Sequence, residues 1–441
     1  MKNANGHKSA KLLNPRFLQL LAIEACLQIG VYMLNPLIAG YAVMLGATAA
    51  VAGLVAGLNA TAAVFTRFVS GALSDRFSRK RLLAASAGVF MLAALGCTLS
   101  TSVVELAIFR SLQGVAFAFK SILVVSLVRY VVPPEHLGKG VGVLGMCFTV
   151  AMALAPALGE YLAQGWGYQV SFATACALLA VGFILALTFK VPAKPMKSEN
   201  LAEGDLEGLM ADIETPESEK QRLAEEQAKH RAQLAEVEKK AASLKGFKKL
   251  KVILQYEMGE IIYVPSLPNM AVACLFSAVQ GVIISLLLLI ASYEGLENVF
   301  VYFIVYAICA FFSRPNIGDL SDKYGIKKLA IPLLAIETVS MVLLAVDFSF
   351  PTLMISAVLM GVGQASSLSL FQAESVRIAP PDKTARSVNT FFLGVDLGMG
   401  LAPFAAGALL DDFGSFAVFA FCAACALTAL IAFVFFYRKR R

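Results

Sequence analysis

The chain has 441 residues, of which 58% are apolar and only 15% charged, against about 25% charged in an average soluble domain. The charges also cluster: residues 191–265 alone hold 14 acids and 12 bases, and uncharged runs long enough to cross a bilayer recur through the remainder. This excludes a soluble enzyme, a nucleic-acid-binding domain and a secreted disulfide scaffold, and the net charge of +7 reflects bases in short loops rather than a nucleic-acid surface.

Twelve hydrophobic helices are expected, at about 16–40, 49–71, 82–102, 105–129, 139–163, 169–190, 268–291, 298–318, 328–347, 350–377, 387–410 and 415–437. Lys2, Lys8, Lys11 and Arg16 precede a first run too long for the core of a cleavable signal. Pro36, Pro156 and Pro403 fall inside these helices and are tolerable, because neighbouring helices can satisfy the freed backbone groups. The eight cysteines all lie in apolar runs. Even Cys422 and Cys425, at CxxC spacing, read as inert core residues, since redox and metal cysteines need a polar setting.

Lysine and arginine orient the chain. The odd-numbered connections between short-linked helices contain none and carry Glu294, Glu297, Asp411 and Asp412 instead. The even-numbered ones hold Arg76, Arg79, Lys80, Arg81, Lys139, Lys323, Lys327, Lys328, Lys383 and Arg386. Both termini, the 191–265 segment and the basic tail Arg438–Arg441 are therefore expected on the cytoplasmic side of a cell membrane. Within the segment, residues 199–226 hold ten acids and two bases, and 239–251 hold six lysines and no acid. This pattern suits either a flexible tether or a solvated helix followed by a polybasic stretch on an anionic leaflet.

One offset, 247, relates separated pieces of the chain: Arg67 to Arg314, Gly71 to Gly318, Asp75 to Asp322, Lys80 to Lys327, Gly114 to Gly361, Pro133-Pro134 to Pro380-Pro381, and Pro156 to Pro403. A six-helix unit repeated once makes an all-α membrane protein of two bundles, with a mid-membrane cleft between them. The organisation is an N-terminal bundle (1–190), a charged linker (191–265), a C-terminal bundle (266–437) and the tail (438–441).

The segment Gly71-Ala-Leu-Ser-Asp75-Arg-Phe-Ser-Arg79-Lys80 resembles the loop signature of the major facilitator superfamily. Gly318-Asp-Leu-Ser-Asp322-Lys-Tyr-Gly-Ile-Lys327 is its second copy, Arg110-Ser-Leu-Gln-Gly114 resembles the helix-4 motif, and Ala155-Pro-Ala-Leu-Gly159 resembles a degraded form of the antiporter helix-5 motif. Two departures are Ser78 in place of the second glycine, and Arg129-Tyr130 where many members carry an acid. The resemblance implies an alternating-access transporter, a monomer in the lipid bilayer with a small-molecule substrate and no cofactor, driven by a proton gradient. It also implies that helices 1, 4, 7 and 10 line the cavity while 2, 5, 8 and 11 form the contact between halves.

Charges within a membrane are costly and mark candidate sites. Glu24 (helix 1), Arg110 and Lys120 (helix 4) rank first, with Asp396 (helix 11) second. Gln28, Tyr32, Asn35, Gln280 and Gln364 are the polar companions, and Glu337 is expected to be paired structurally. The gating set is Arg67, Gly71, Asp75, Arg79, Lys80, Arg314, Gly318, Asp322 and Lys327, in which each Asp either latches a closed state or simply caps a helix. Counting residues from the cytoplasmic helix ends places Glu24 about 13 Å deep and Lys120 about 15 Å deep, with Arg110 near 30 Å and facing Asn35. A buried Glu24–Lys120 pair is the expected result. No His₂ or Cys–His metal spacing, nucleophile–base pair or nucleotide-binding loop occurs. The reading is a secondary transporter, with proton-coupled efflux of an amphipathic molecule first and proton-coupled metabolite uptake second. A non-transporting receptor on the same scaffold is the rival from another class.

Overall fold

The computed structural model describes residues 14–76, 78–133, 137–191, 262–380 and 383–438. The linker 192–261 and the tail 439–441 lie outside these residues, as do the side chains of Gly71, Asp75, Gly318 and Asp322. The described residues form helices and no strand. In the first half these are α1 (Pro15–Leu34), α2 (Ile38–Met44), α3 (Ala49–Arg76), α4 (Arg79–Leu99), α5 (Val103–Val131), α6 (Leu137–Trp166) and α7 (Tyr168–Thr188). The second half opens on a 3-10 turn, Val264–Ser266, and continues with α8 (Leu267–Tyr293), α9 (Phe300–Tyr324), α10 (Ile326–Val346), α11 (Phe350–Ile378) and α12 (Thr384–Arg438).

Local chemistry explains the starts and breaks. Asn14 caps α1 by accepting from the Phe17 N–H, with Pro15 at the first helical position, where a missing N–H costs nothing. The expected helix 16–40 is broken instead into α1 and α2. Pro36 can donate no backbone hydrogen bond and crowds the preceding turn, so the chain turns over Asn35–Leu37, closed by Leu37 N–H to Leu34 O. The expected helices 387–410 and 415–437 run together as α12, which doubles back at Gly414, φ 75°, a left-handed conformation suited to glycine. Among the described residues ten helices are long and apolar enough to cross a membrane, and α9 carries a shorter apolar stretch, Phe300–Arg314. With α12 folded at Gly414 into two apolar arms, these give twelve apolar segments, matching the twelve expected. Both loop signatures span the connection between two helices, but helical backbone runs far into them, through Arg76 in α3 and Tyr324 in α9, and α4 and α10 resume at Arg79 and Ile326.

The first bundle packs α1 on α6 and α7, and α5 on α3 and α4; the second packs α8 on α12, and α11 on α9 and α10. The halves meet along α3 with α12 and α6 with α9. The α3–α12 seam is backbone against backbone. A Cβ on Gly53 would lie 2.0 Å from Pro403 O, one on Gly57 2.0 Å from Gly400 O, and one on Gly407 2.2 Å from Ala49 O. Small residues allow such approach where helices associate by packing within lipid. The seam ends at Asp411, whose two carboxylate oxygens accept from the Ala49 and Ala50 N–H groups at 2.9 and 2.8 Å. An acid from one half thus caps the first turn of a helix in the other. Gly57→Ala should therefore destabilise the detergent-solubilised protein by on the order of 1–3 kcal/mol in thermal unfolding. Gly165→Ala, whose Cβ would meet nothing within 4 Å, should be neutral or slightly stabilising.

Candidate transport cavity

A large cavity of about 1130 Å³ lies between the halves. Its lining runs from Ser126 on α5, Gln372 on α11 and Asn389 on α12 inward to Asn35, Ala56 and Arg110. The first three lie toward the helix ends that carry the base-rich connections. Past Ala56 the glycine seam and the Asp411 cap bring the halves together. The cavity is therefore blind at the Asp411 end.

Charged groups occupy the middle of this cavity. Lys120 Nζ lies 2.8 Å from Glu24 Oε1 with both side chains buried, joining α5 to α1. The structure thus brings together the two groups whose depths match by residue counting. The second carboxylate oxygen of Glu24 has no hydrogen-bond partner among the described residues, and Lys120 also lies over the Phe117 ring at 5.4 Å. Arg67 donates to Asp396 at 2.5 Å, linking α3 to α12 and so one half to the other. Counting at 1.5 Å per residue, Glu24, Lys120, Arg314 and Asp396 all lie about 13–18 Å from the helix ends on the base-rich side. They form one belt across the cavity.

Arg110 stands apart from the belt, at the blind end. It is buried yet still lines the cavity, and its guanidinium donates to Asn35 Oδ1 at 3.1 Å, Gln113 Oε1 at 2.6 Å and Ala56 O at 3.0 Å. On the other wall, Tyr306 donates to Gln364 Oε1 at 2.8 Å and receives Gln280 Nε2 at 3.3 Å, tying α9 to α8 and α11. Gln28, Tyr32, Gln280 and Gln364 all line the cavity, and Tyr32 meets Phe148 edge to face at 5.5 Å.

The gating set is divided by the structure. Arg67 and Arg314 line the cavity itself, with Arg314 5.6 Å over the Phe148 ring. Arg79 donates to the Tyr130 hydroxyl at 2.5 Å, the residue standing where an acid is usual. Lys80 and Lys327 sit in the first turns of α4 and α10, with Lys327 exposed. Glu337, expected to have a structural partner, is buried in α10 with no hydrogen-bond partner for either oxygen among the described residues. Sequence reasoning missed Tyr306, because α9 is expected to be a contact helix. It also missed the partnership of Arg67 with Asp396, since the two lie in different halves and no periodicity couples them. Their shared mid-bundle depth was the available signal. Among the described residues no cluster of His, Cys, Asp and Glu could hold a metal.

Comparison with known proteins agrees with this architecture. The chain is 34% identical over 132 residues to an MFS-type transporter of Mycobacterium tuberculosis, covering 29% of this chain and 19% of that protein. It is 27% identical over 187 residues to the inner membrane transport protein YajR of Escherichia coli, covering 42% and 40%. The matches thus span less than half the length of these relatives. A POT family transporter crystallised with 5-aminolevulinic acid superposes with a TM-score of 0.72 at 14% identity over 98% of both chains. A bacterial homologue of the human lysosomal transporter Spinster, in an inward-facing and unoccupied conformation, gives 0.66 at 18% over 96% and 94%. At these identities the likeness is one of fold. The profile of the Major Facilitator Superfamily matches residues 20–336 and again 270–441, so the chain belongs to that superfamily and is a multi-pass membrane transporter rather than an enzyme.

Proposed function

We propose that the chain is a proton-coupled secondary transporter of a small organic molecule, working by alternating access, with Glu24 and Lys120 as the proton-sensitive pair. The observation that carries this reading is the 2.8 Å contact between two buried, oppositely charged groups that line the cavity. Separating such a pair in a low-dielectric site is costly unless something replaces one partner. A proton on Glu24, or a charged substrate, is such a replacement. Adding or removing it changes the cavity's charge in step with occupancy, which is what coupling requires.

Alternating access needs two states of similar free energy and a contact specific to each. The Asp411 cap and the glycine seam belong to the state seen here, closed on the Asp411 side. The opposite closure would use the base-rich ends, where the duplicated signatures lie; Asp75 and Asp322 remain proposed latches there. By the lysine and arginine rule the base-rich side is the cytoplasm, which makes the present state inward-facing.

The direction of transport depends on substrate charge. A cationic substrate competes with the proton at Glu24 and exchanges for it, which is the efflux expected from the helix-5 motif. An anionic substrate is favoured by the proton and travels with it, which is uptake.

In proteoliposomes, Glu24→Gln and Lys120→Met should each lose pH-driven transport, and the double variant should unfold no earlier than either single. Full pH-driven transport by Glu24→Gln would remove the coupling role and turn attention to Asp396. Asp411→Ala should lose about 0.5–2 kcal/mol of the present closure, raising maleimide labelling of a cysteine at Asn35 from the Asp411 side. A cysteine at Asn298, in a background without the native eight, should react with an impermeant maleimide only from outside intact cells; labelling from within would reverse the assigned orientation.

A further inference from the structure

Four cationic side chains line the cavity, Arg67, Arg110, Lys120 and Arg314, against two carboxylates, Glu24 and Asp396. Leaving Arg314 aside, the described lining still carries three cations against two carboxylates, one positive charge in excess. Protonating either carboxylate only enlarges the excess, so its sign does not depend on how the pairs titrate. Glu24 and Asp396 are already committed to Lys120 and Arg67. Arg110 is different: its three acceptors, an amide oxygen from Asn35, another from Gln113 and the Ala56 carbonyl, are all neutral. Among the described residues its Nε has no hydrogen-bond partner and no carboxylate forms an ion pair with it.

An arginine held in a low-dielectric wall by dipoles alone is stabilised by hydrogen bonding but not neutralised. Here it sits at the blind end of an otherwise largely apolar chamber, where Phe117, Phe148, Phe311, Phe392 and Met152 supply hydrophobic surface. A group that satisfies both features has an apolar or aromatic body and an acidic head.

We infer that the substrate is an amphipathic organic anion, a carboxylate or phosphate ester, whose acidic group is bound by Arg110 at the blind end while its body lies against the aromatic walls. The inference rests on the transporter reading above and narrows it. A proton on Glu24 raises the cavity's positive excess, so proton and anion favour each other's binding and move in the same direction. That makes cotransport, not exchange, the expected mode.

The test uses three fluorescent probes that share one dansyl body: dansylglycine, dansylamide and dansylcadaverine, carrying a carboxylate, no charge and an ammonium. Titrated against the purified full-length protein, dansylglycine should bind at least tenfold more tightly than dansylcadaverine, with dansylamide between them. Benzoate or phenyl phosphate should displace it, identifying which acid the head group resembles, and benzylamine should not. Arg110→Gln should weaken dansylglycine at least tenfold with dansylamide unchanged, and Arg110→Lys should recover part of the loss. Equal or tighter binding of dansylcadaverine, no binding of dansylglycine, or full dansylglycine affinity in folded Arg110→Gln would overturn the inference. Should Arg110→Gln fail to fold, the charge order of the wild-type protein alone decides it. Uptake of dansylglycine into proteoliposomes separates the two levels. Uptake indifferent to a pH gradient, with the charge order intact, would sink proton coupling and leave the anion class standing. Gradient-driven transport of dansylcadaverine in its place would do the reverse.

Discussion

Charge inside a hydrocarbon-surrounded bundle must be matched or hydrated, because an uncompensated ion costs several kcal/mol even after relaxation. This constraint organises the transporter's interior. Glu24 and Lys120 stitch α1 to α5 within the first half, Arg67 and Asp396 stitch α3 to α12 across the halves, and Arg110 draws on α1, α3 and its own turn. Each tie joins elements that must keep or change their relation during a transport cycle. None is a surface bridge of the kind whose net contribution is close to nothing. The second half contributes Arg314 and Asp396 to the charged lining and adds neutral Gln280, Tyr306 and Gln364 in one hydrogen-bonded chain.

The closed end works by other means. Between Ala49 and Gly57 on one side and Gly400 and Gly407 on the other, main chain meets main chain, and the final contact is a carboxylate on helix N–H groups. Close packing of this kind is unforgiving of added volume, while the cap is a modest and reversible interaction. Together they give a closure that is exact in geometry and held at its end by a modest cap.

Much of this was legible in the residues. The offset of 247 defined two bundles before any coordinates, and Glu24 and Lys120 could be matched because helical rise converts residue counts into depth. The same count separated Arg110 from that pair and placed it by Asn35. What escaped was interaction without a pattern. Arg67 sits next to a duplicated signature and is naturally grouped with it, although its side chain reaches the cavity and Asp396 in the other half. The break after Leu34 follows from Pro36, but proline in a transmembrane helix can also be absorbed as a kink, as Pro156 is within α6. Nothing local distinguishes the two outcomes; the difference lies in whether neighbouring helices leave room for a turn. The continuation of α3 and α9 past their apolar stretches was hidden because hydropathy reports burial in lipid, whereas helical hydrogen bonding continues into water.

The glycine seam has a further consequence for how such a protein can change over generations. Because the closing contact between the halves is made of backbone, it uses none of the side chains that supply the cavity's aromatic and amide surface. Cavity residues such as Phe117, Phe148, Gln280 or Gln364 can then be exchanged without disturbing that contact, and the contact can be kept without dictating what the chamber accepts. Selectivity and closure are separable inheritances in this chain, so a new cargo requires repainting one chamber and no redesign of the seam that seals it.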